Sequence, residues 1–550
     1  MKNETYSFEK LVKLIRLERS EITVIYFYAI FSGLIQLSLP LGIQAILGFV
    51  LGATMVTSVY LLIFIIIAAV FVVGYLRINK MKIIEKIQQK IFVRFAFEFA
   101  EKIPKLDLKA TDQYYLPEKI NRFFDTLNVQ KGISKLLLDI PGASIQIFFG
   151  LILLSLYHPF FIVFSVVLVA LLWVIFNITS IKGLKTSISE SNYKYEVVAW
   201  LEELGRVIKS FKYSQGSHLN LIKADEKVLN YINARTSHFQ VLLFQFKTLI
   251  FFKVSITALM LILGTYLLFS QKINIGQFVA AEIVILSIIG AIEKLIASLD
   301  NVYDVVTGLY KIDSVVELPS EKGGEFELRT SELSIELKNV HFSYQENRKI
   351  FENISVLIPA RGITCISGEE SSGKSTFLKL LTGSYMDFKG EINFNGIPLQ
   401  NYSLESLRSR MGILLFGQDL FEGTLYENIT LGRSEIVIDR ILDLSRRLGI
   451  ENFISFFPSS FETRIDPLGR KLPSSLVKKI LLLRALIHDP VLLVLEEPWM
   501  GFDEGIEQNI KNYLSAISSS RTIVISTNDQ SFIEKCTANF HISNGTILKK

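Results

Sequence analysis

The chain has 550 residues and a formal net charge of +5, and a length of this size predicts two or more domains. Half of its residues are hydrophobic and only 20% are charged, below the roughly 25% typical of soluble proteins, which excludes a disordered chain and indicates a membrane protein. The two cysteines, Cys365 and Cys536, exclude a disulfide-built secreted protein and suit a reducing compartment.

Long apolar stretches fill the first part of the chain. A membrane-spanning helix needs about 20 mainly apolar residues, because hydrocarbon offers no hydrogen-bond partner to a free backbone N–H or C=O. The stretches that meet this requirement are Ile22–Leu47, Ser58–Leu76, Leu136–Tyr157, Pro159–Thr179, Leu242–Phe269 and Ile275–Ala297. The sequence therefore predicts an α-helical polytopic membrane domain over residues 1–313, with six transmembrane helices.

The connections between these stretches alternate between short and long. The two long ones, Arg77–Lys135 and Ser180–Val241, are charged and share one side of the membrane, and the basic residues around them place that side in the cytoplasm. The net positive charge then follows from membrane topology, and we expect no nucleic-acid partner. Apolar residues at helical spacing, such as Ile84, Ile87 and Ile91, predict that both connections are helical hairpins.

The composition changes after residue 313. Residues 314–332 are polar and contain glycine, as a linker does, and residues 333–550 alternate short β-type runs with helices. This alternation is typical of an α/β domain with a mainly parallel sheet. The predicted strands are Ser334–Val340, Ile354–Ile358, Thr364–Ser367, Gly390–Phe394, Met411–Leu415, Val491–Leu495 and Thr522–Ser526.

A phosphate-binding motif lies between one of these strands and a helix. Its GxxxxGKST spacing comprises, among other residues, Gly368, Ser372, Gly373, Lys374, Ser375 and Thr376. Glycines let the loop backbone wrap phosphates with its N–H groups, while Lys374 would reach the β and γ phosphates and Ser375 would hold Mg²⁺. The motif predicts a P-loop NTPase domain.

Two adjacent carboxylates, Glu496 and Glu497, end an apolar strand further along the chain. They are costly at such a position unless a cation uses them. We expect Glu496 to support Mg²⁺ and Glu497 to position or activate the attacking water. Taken alone, the pair is also compatible with two solvated charges that open a loop.

A six-span domain followed by a P-loop domain resembles the half-transporters of the ABC exporter superfamily, over nearly the whole chain. The resemblance implies that Tyr344 of NVHFSY stacks on the adenine of ATP. It identifies Gln418 of LLFGQDLFEGTLYENI as the Q-loop residue, a catalytic and metal contact, and Asp503 as the D-loop aspartate. The hairpin tips around Asn121–Asp125 and Lys209–Tyr213 resemble the helices that dock on nucleotide-binding domains. Each nucleotide site of this family is shared, so the resemblance implies a second half-transporter, identical or different.

The chain departs from the family at several motifs. The LSGGQ signature aligns with Leu472–Leu476, so both glycines are lost, Pro473 has no N–H, and Ser474 remains as a nucleotide contact. Glu496 replaces the Walker B aspartate, and Asn528 replaces the switch histidine with an amide that donates to a phosphate but never carries charge. We expect binding of ATP with Mg²⁺ to be retained and hydrolysis to be slowed.

The membrane part looks most like type I secretion transporters of the haemolysin exporter kind. That likeness implies peptide, protein or other amphipathic cargo, with a membrane-fusion adaptor and an outer-membrane channel as partners besides membrane lipids. Two alternatives stay open: a lipid or drug exporter or flippase, and an ATP-binding regulatory subunit that does not transport. The layout suggests a multi-pass protein of a bacterial inner membrane, with the nucleotide-binding domain in the cytoplasm.

Overall fold

The computed structural model describes residues 2–52, 57–112, 115–214, 217–345 and 348–550. The chain divides into two compact units, one made of Met1–Pro104 with Tyr114–Leu318 and the other of Lys105–Gln113 with Pro319–Lys550. We call the first the membrane unit and the second the P-loop unit.

Helices make up the described part of the membrane unit. In chain order the helices up to Val316 are α1 (Lys2–Leu17), α2 (Arg19–Gln36), α3 (Ser38–Leu51), α4 (Thr57–Lys102), α5 (Leu108–Thr111), α6 (Leu116–Ile120), α7 (Asp125–Tyr157), α8 (Phe160–Arg206), α9 (Ile208–Tyr213), α10 (Leu219–Phe269) and α11 (Ile275–Val316). Of these, only α5 falls in the P-loop unit.

Among the described residues, five helical segments are long and apolar enough to cross a membrane: Arg19–Leu51, Thr57–Lys105, Leu116–Tyr157, Leu219–Phe269 and Ile275–Val316. The predicted span Pro159–Thr179 lies in α8, where several side chains fall outside the described residues, so a total of six spans stays a prediction.

The first predicted span, Ile22–Leu47, is two helices rather than one. Helix α2 ends at Gln36 and α3 begins at Ser38. Pro40 lies in the first turn of α3 and has no N–H to donate to the carbonyl of Gln36, so a continuous helix would lose a hydrogen bond and gain a clash there. The chain therefore breaks at Leu37.

Helix α4 continues without interruption well beyond the predicted span Ser58–Leu76. Ile84, Ile87 and Ile91 recur at helical spacing along it and are each at most 3% exposed. They belong to a hydrophobic cluster shared by α4, α7 and α11, whose other members include Phe95, Val129, Ile133, Val305 and Ile312. Burying one such side chain stabilises the fold by about 1.5–3 kcal/mol.

Asn121–Asp125 lies within the membrane unit, and its docking role stays a prediction. The nearby segment Lys105–Gln113 packs in the P-loop unit. There, Asp107 caps α5 by accepting from the N–H of Ala110, and its own N–H donates to the carbonyl of Pro319 at 2.9 Å. The second tip, which forms α9, keeps its docking role as a prediction only.

The P-loop unit combines three sheets, one of them only two-stranded, with helices. Its strands are β1 (Ile335–Gln345), β2 (Arg348–Ile358), β3 (Gly362–Gly368), β4 (Lys389–Phe394), β5 (Ile397–Pro398), β6 (Met411–Leu414), β7 (Gly423–Thr424), β8 (Arg464–Ile465), β9 (Leu492–Glu496), β10 (Thr522–Ser526), β11 (Ala538–Ser543) and β12 (Thr546–Lys549). Its helices after α5 are α12 (Lys374–Leu381), α13 (Leu404–Ser409), α14 (Leu425–Thr430), α15 (Ile438–Arg447), α16 (Ser474–Leu486), α17 (Glu504–Ile517) and α18 (Gln530–Ile533).

The larger sheet has the order β12-β11-β3-β10-β9-β6, and all its neighbours are parallel except the antiparallel edge strand β12. A smaller antiparallel sheet has the order β2-β1-β4-β5. Along β9, Leu493 and Leu495 join one hydrophobic cluster while Leu492 and Val494 join the other, so both faces of the strand are buried. The prediction of an α/β domain with a mainly parallel sheet is confirmed.

Cys365 and Cys536 are joined in a disulfide, whereas the composition suggested a reducing compartment for them. Cys365 lies on β3, and Cys536 lies in the turn just before the parallel neighbour β11. Adjacent parallel strands bring the two Cα atoms to 6.2 Å although 171 residues separate them in sequence.

Candidate nucleotide site

The P-loop connects the end of β3 to the start of α12. Gly373 adopts a φ of +106°, in the region that favours glycine, and a Cβ there would lie 3.1 Å from the ring of Phe351. Helix α12 begins at Lys374, so the first N–H groups of the helix face the loop. Such a loop and helix N-terminus can surround a phosphate with backbone donors.

Lys374 and Ser372 are the polar side chains of the phosphate-binding loop that bear on ligand binding. The Lys374 ammonium donates to the carbonyl oxygens of Gly368 and Glu369, each at 2.7 Å. The hydroxyl of Ser372 is buried and has no hydrogen-bond partner within the described part of the chain. A buried hydroxyl of this kind is costly unless a ligand satisfies it, which fits a bound phosphate.

An oxygen-rich set of side chains lies beside the P-loop at the end of β9. Ser375 donates a hydrogen bond to Glu496, whose other carboxylate oxygen accepts from the N–H of Phe416 at 2.8 Å. Gln418 donates to the carbonyl of Ile413 at 3.4 Å, while its own carbonyl oxygen is buried and unpartnered among the described residues. Hydroxyl, carboxylate and amide oxygens are the ligands that Mg²⁺ prefers, so the predicted metal residues fit that ion.

Glu497 lies one residue beyond β9, with a φ of +42° that a non-glycine residue rarely adopts. Thr527 donates to its carboxylate at 3.1 Å. Burial raises the pKa of Glu497, and the Thr527 hydrogen bond and the charges of Lys374 and Lys478 lower it to a smaller extent. A half-buried carboxylate with a raised pKa beside a P-loop can accept a proton from water.

The switch residue is tied directly to the P-loop. The side-chain oxygen of Asn528 accepts a hydrogen bond from the N–H of Gly368 at 3.1 Å. Strands β3 and β10 are parallel neighbours, which places the residues after their carboxyl ends side by side. Asn528 therefore lies at the predicted site.

The signature segment borders a cavity that two of the candidate metal ligands also line. A cavity of about 320 Å³ is lined by Gln418, Ser474, Ser475, Lys478 and Glu496, among others. Helix α16 begins at Ser474 directly after Pro473. Asp503, by contrast, lies exposed at the start of α17 and is not one of the described residues that line this cavity.

Tyr344 connects the P-loop helix to the segment Lys105–Gln113 inside the same unit. Its hydroxyl shares a hydrogen bond of 2.9 Å with Thr376, and its ring meets that of Tyr385 edge-on at 5.4 Å. Tyr385 in turn donates to Asp112 at 2.9 Å. No local pattern indicates a role for Tyr385 or Asp112, because their contact joins positions 273 residues apart.

Two further residues of the site also escaped prediction. Lys478 donates to the carbonyl oxygens of Glu497 at 2.8 Å and Met500 at 2.5 Å, which holds the loop after β9. Thr527, the residue before Asn528, binds the Glu497 carboxylate. The position of Thr527 directly before the predicted switch residue is the sequence signal that could have identified it.

Comparison with known proteins identifies the architecture. Residues 351–500 match the family described as ABC transporter. A solved structure described as a bacterial Atm1-family ABC exporter with ATP bound superposes with a TM-score of 0.85 at 18% identity, covering 97% of this chain and 95% of that one. The chain has an ABC exporter fold.

Curated relatives carry related descriptions. A probable ABC transporter ATP-binding/permease protein of Haemophilus influenzae is 29% identical over 289 residues, 52% of each chain. An ATP-dependent lipid A-core flippase of Legionella pneumophila is 26% identical over 279 residues, 50% of this chain and 47% of the flippase. A multidrug efflux ATP-binding/permease protein of Mycobacterium bovis is 32% identical over 201 residues, 36% of this chain and 17% of that protein. The matched regions thus span about half or less of the lengths of these relatives.

Proposed function

We propose that the chain is a half-transporter of an ATP-driven exporter, and that two such chains share their nucleotide sites. The observation that carries the proposal is the group formed by Lys374, Ser375 and Glu496 at the carboxyl edge of a parallel sheet, in a chain with the ABC exporter fold. An ABC domain implies ATP and, in general, Mg²⁺. ATP with Mg²⁺ supplies, when bound, the phosphate bond whose cleavage resets the cycle.

Each residue of the site has a distinct role in binding the nucleotide or in its hydrolysis. Lys374 and the loop N–H groups hold phosphate oxygens, while Ser375, Gln418 and Glu496 offer oxygen ligands to the ion. Glu497 accepts a proton from water and Thr527 fixes its carboxylate. Tyr344 offers a ring face to the adenine.

We further propose that hydrolysis is slow. Ser474 and Ser475 carry side chains where the family presents glycine, and Pro473 has no N–H, so the segment offers a bound γ-phosphate of the partner site fewer donors. Asn528 cannot become charged. The loss of one such donor lowers turnover by about 100-fold.

The surroundings of the protein are part of the proposal. Its apolar helices and relatives favour a multi-pass protein, and we place it in a bacterial inner membrane with the P-loop unit in the cytoplasm. The cargo is amphipathic, and a peptide or protein cargo would bring a membrane-fusion adaptor and an outer-membrane channel as partners. The type I secretion subtype rests on the sequence resemblance alone.

The test is ATP turnover of the purified protein in nanodiscs, compared with Glu497→Gln and with the control Glu504→Gln on the exposed start of α17. We expect slow turnover that Glu497→Gln abolishes and Glu504→Gln leaves unchanged. Turnover that survives Glu497→Gln would overturn the role of Glu497. Turnover above about 10 s⁻¹, a median enzyme rate, would overturn the slow cycle.

A second candidate is an ATP-binding regulatory subunit, favoured by Pro473 at the start of α16. ATP-dependent uptake of cargo into inverted vesicles distinguishes it from an exporter. The lipid or drug flippase alternative is favoured by the descriptions of two relatives, and the chemical class of the transported molecule decides it.

A further inference from the structure

A charged cavity lies inside the membrane unit, between α2, α4, α7 and α11. Its volume is about 180 Å³, and its charged lining consists of Arg77, Lys80, Lys294 and Asp139. Three basic groups and one acidic group give this lining a net charge of +2. The volume corresponds to roughly six water molecules at liquid density, enough for a small anionic group.

Lys80 is the most informative of these residues. Lysines near the end of a membrane helix usually extend toward water, yet the side chain of Lys80 is 7% exposed. Its ammonium donates to the carbonyl of Leu138 at 2.5 Å, close to Gly142, where an added Cβ would lie 3.9 Å from the nitrogen. A buried ammonium whose partner among the described residues is one carbonyl is costly, and an anion in the cavity would offset that cost.

The other two basic residues, Arg77 and Lys294, give the cavity a net positive charge. Within the described part of the chain, neither the Arg77 side chain nor the Lys294 side chain has an ion-pair or hydrogen-bond partner. Asp139 is the acidic side chain in the lining, and it compensates part of the charge. A concave, partly enclosed site of one sign concentrates ions of the opposite sign.

A smaller apolar cavity of about 90 Å³ adjoins the charged one. The two share Gly33, Gln36 and Gln146, and the second adds Leu37, Leu39, Pro40, Ile283 and Val284. Gln146 is fixed at this border by hydrogen bonds to the backbone carbonyl of Ser287 at 3.2 Å and to its hydroxyl. The break between α2 and α3 contributes Leu37 and Pro40, so it shapes this apolar side.

We propose that the charged cavity binds the anionic head group of an amphiphilic cargo and that the apolar cavity holds the first few carbons of its hydrocarbon chain. The inference rests on the proposed exporter function, and it adds the charge class of the cargo. A free inorganic anion carries the same charge as the head group, but it has no hydrocarbon chain to occupy the apolar cavity.

The test is native mass spectrometry of the full-length protein in a neutral maltoside detergent without nucleotide. The probes are dodecyl phosphate, dodecanol, dodecyltrimethylammonium and inorganic phosphate. We expect dodecyl phosphate to bind at least about tenfold more tightly than the other three, because only it combines negative charge with an apolar chain. Inorganic phosphate binding as tightly would show a site for a free anion and overturn the amphiphile assignment.

Variants connect the binding to the cavity. We expect the double variant Arg77→Gln with Lys294→Gln to weaken dodecyl phosphate at least about tenfold, and Asp139→Asn to strengthen it a few-fold. Lys82→Gln removes an exposed charge from the same helix α4 and should leave binding unchanged. Equal weakening by Lys82→Gln, or no weakening by the double variant, would overturn the assignment.

The readout separates this inference from the proposed function. Binding is measured without ATP, so a protein that binds dodecyl phosphate but does not turn over ATP keeps the cavity and overturns the exporter. A protein that turns over ATP but binds dodecyl phosphate no better than dodecanol keeps the exporter and overturns the anionic cargo.

Discussion

Lys478 holds the loop that carries the candidate general base, and we predict that Lys478→Met slows ATP hydrolysis while ATP still binds. The ammonium donates to the carbonyl oxygens of Glu497 and Met500. Methionine retains an apolar stem of similar length but offers no donor, so both carbonyls lose their partner, the half-buried one of Glu497 included. A hydrogen bond from a charged group contributes about 1.5–3 kcal/mol. If the one to Glu497 positions the transition state, kcat falls about 10- to 100-fold.

The pH dependence gives a second readout that a merely structural role would not move. Burial raises the pKa of Glu497, and the charge of Lys478 lowers it. Removing that charge therefore raises the Glu497 pKa further. A general base is active when it is deprotonated, so activity is lost as the pH falls through this pKa, and the acid limb of the kcat profile moves to higher pH in Lys478→Met.

The assay is steady-state ATP turnover in nanodiscs across the acidic and neutral range, with nucleotide affinity measured separately from a fluorescent ATP analogue. Lys479→Met is the matched control, because it removes the same charge from the next residue of α16. A kcat within about twofold of the native value would refute the positioning role. An acid limb that does not shift in Lys478→Met would also refute that role, and so would an equal loss of kcat in Lys479→Met.

Three further outcomes are expected. In the native protein the acid limb lies above the ordinary glutamate value of 4.5, because burial raises the Glu497 pKa, and a limb at or below 4.5 would contradict this assignment. Asn528→His restores a chargeable donor and should raise steady-state turnover about tenfold, although it removes the acceptor of the Gly368 N–H. An unchanged rate would exclude Asn528 as the cause of slow hydrolysis. Gly412→Ala would press a Cβ against a backbone carbonyl of α16 and destabilise the P-loop unit by about 1–3 kcal/mol, whereas Gly505→Ala on α17 meets no atom within 4 Å and should be neutral or stabilising. Thermal unfolding of the two variants compares them, and a shift of both in the same direction would contradict the packing argument.

Local chemistry explains which features the sequence reveals. The P-loop was predictable because Gly373 and Lys374 follow directly on an apolar strand, so the motif and its context occupy one short stretch. The buried strand β9 was equally legible, since both of its faces are apolar. The edge strand β12 was missed, because its residues are largely exposed and carry little hydrophobic pattern.

Contacts between distant positions explain what the sequence could not reveal. Lys478 reaches Glu497 only because the fold brings the start of α16 beneath the loop after β9. The segment Lys105–Gln113 packs in the P-loop unit partly through backbone pairing of Asp107 with Pro319, which no local pattern encodes. The break at Leu37 had a signal in Pro40, but the apolar run around it outweighed a single proline.

The side chains of Thr376, Tyr344, Tyr385 and Asp112 form a continuous row of contacts. One end belongs to the helix that follows the P-loop, and the other belongs to a segment that begins three residues after α4 ends. Tyr385 is 3% exposed and has no room to move independently of its neighbours. We expect a ligand that displaces the Tyr344 ring to disturb the hydrogen bond between Tyr385 and Asp112 as well. The frequency of the Asp112 carboxylate stretch, measured in an infrared difference spectrum, would then report whether the nucleotide site is occupied.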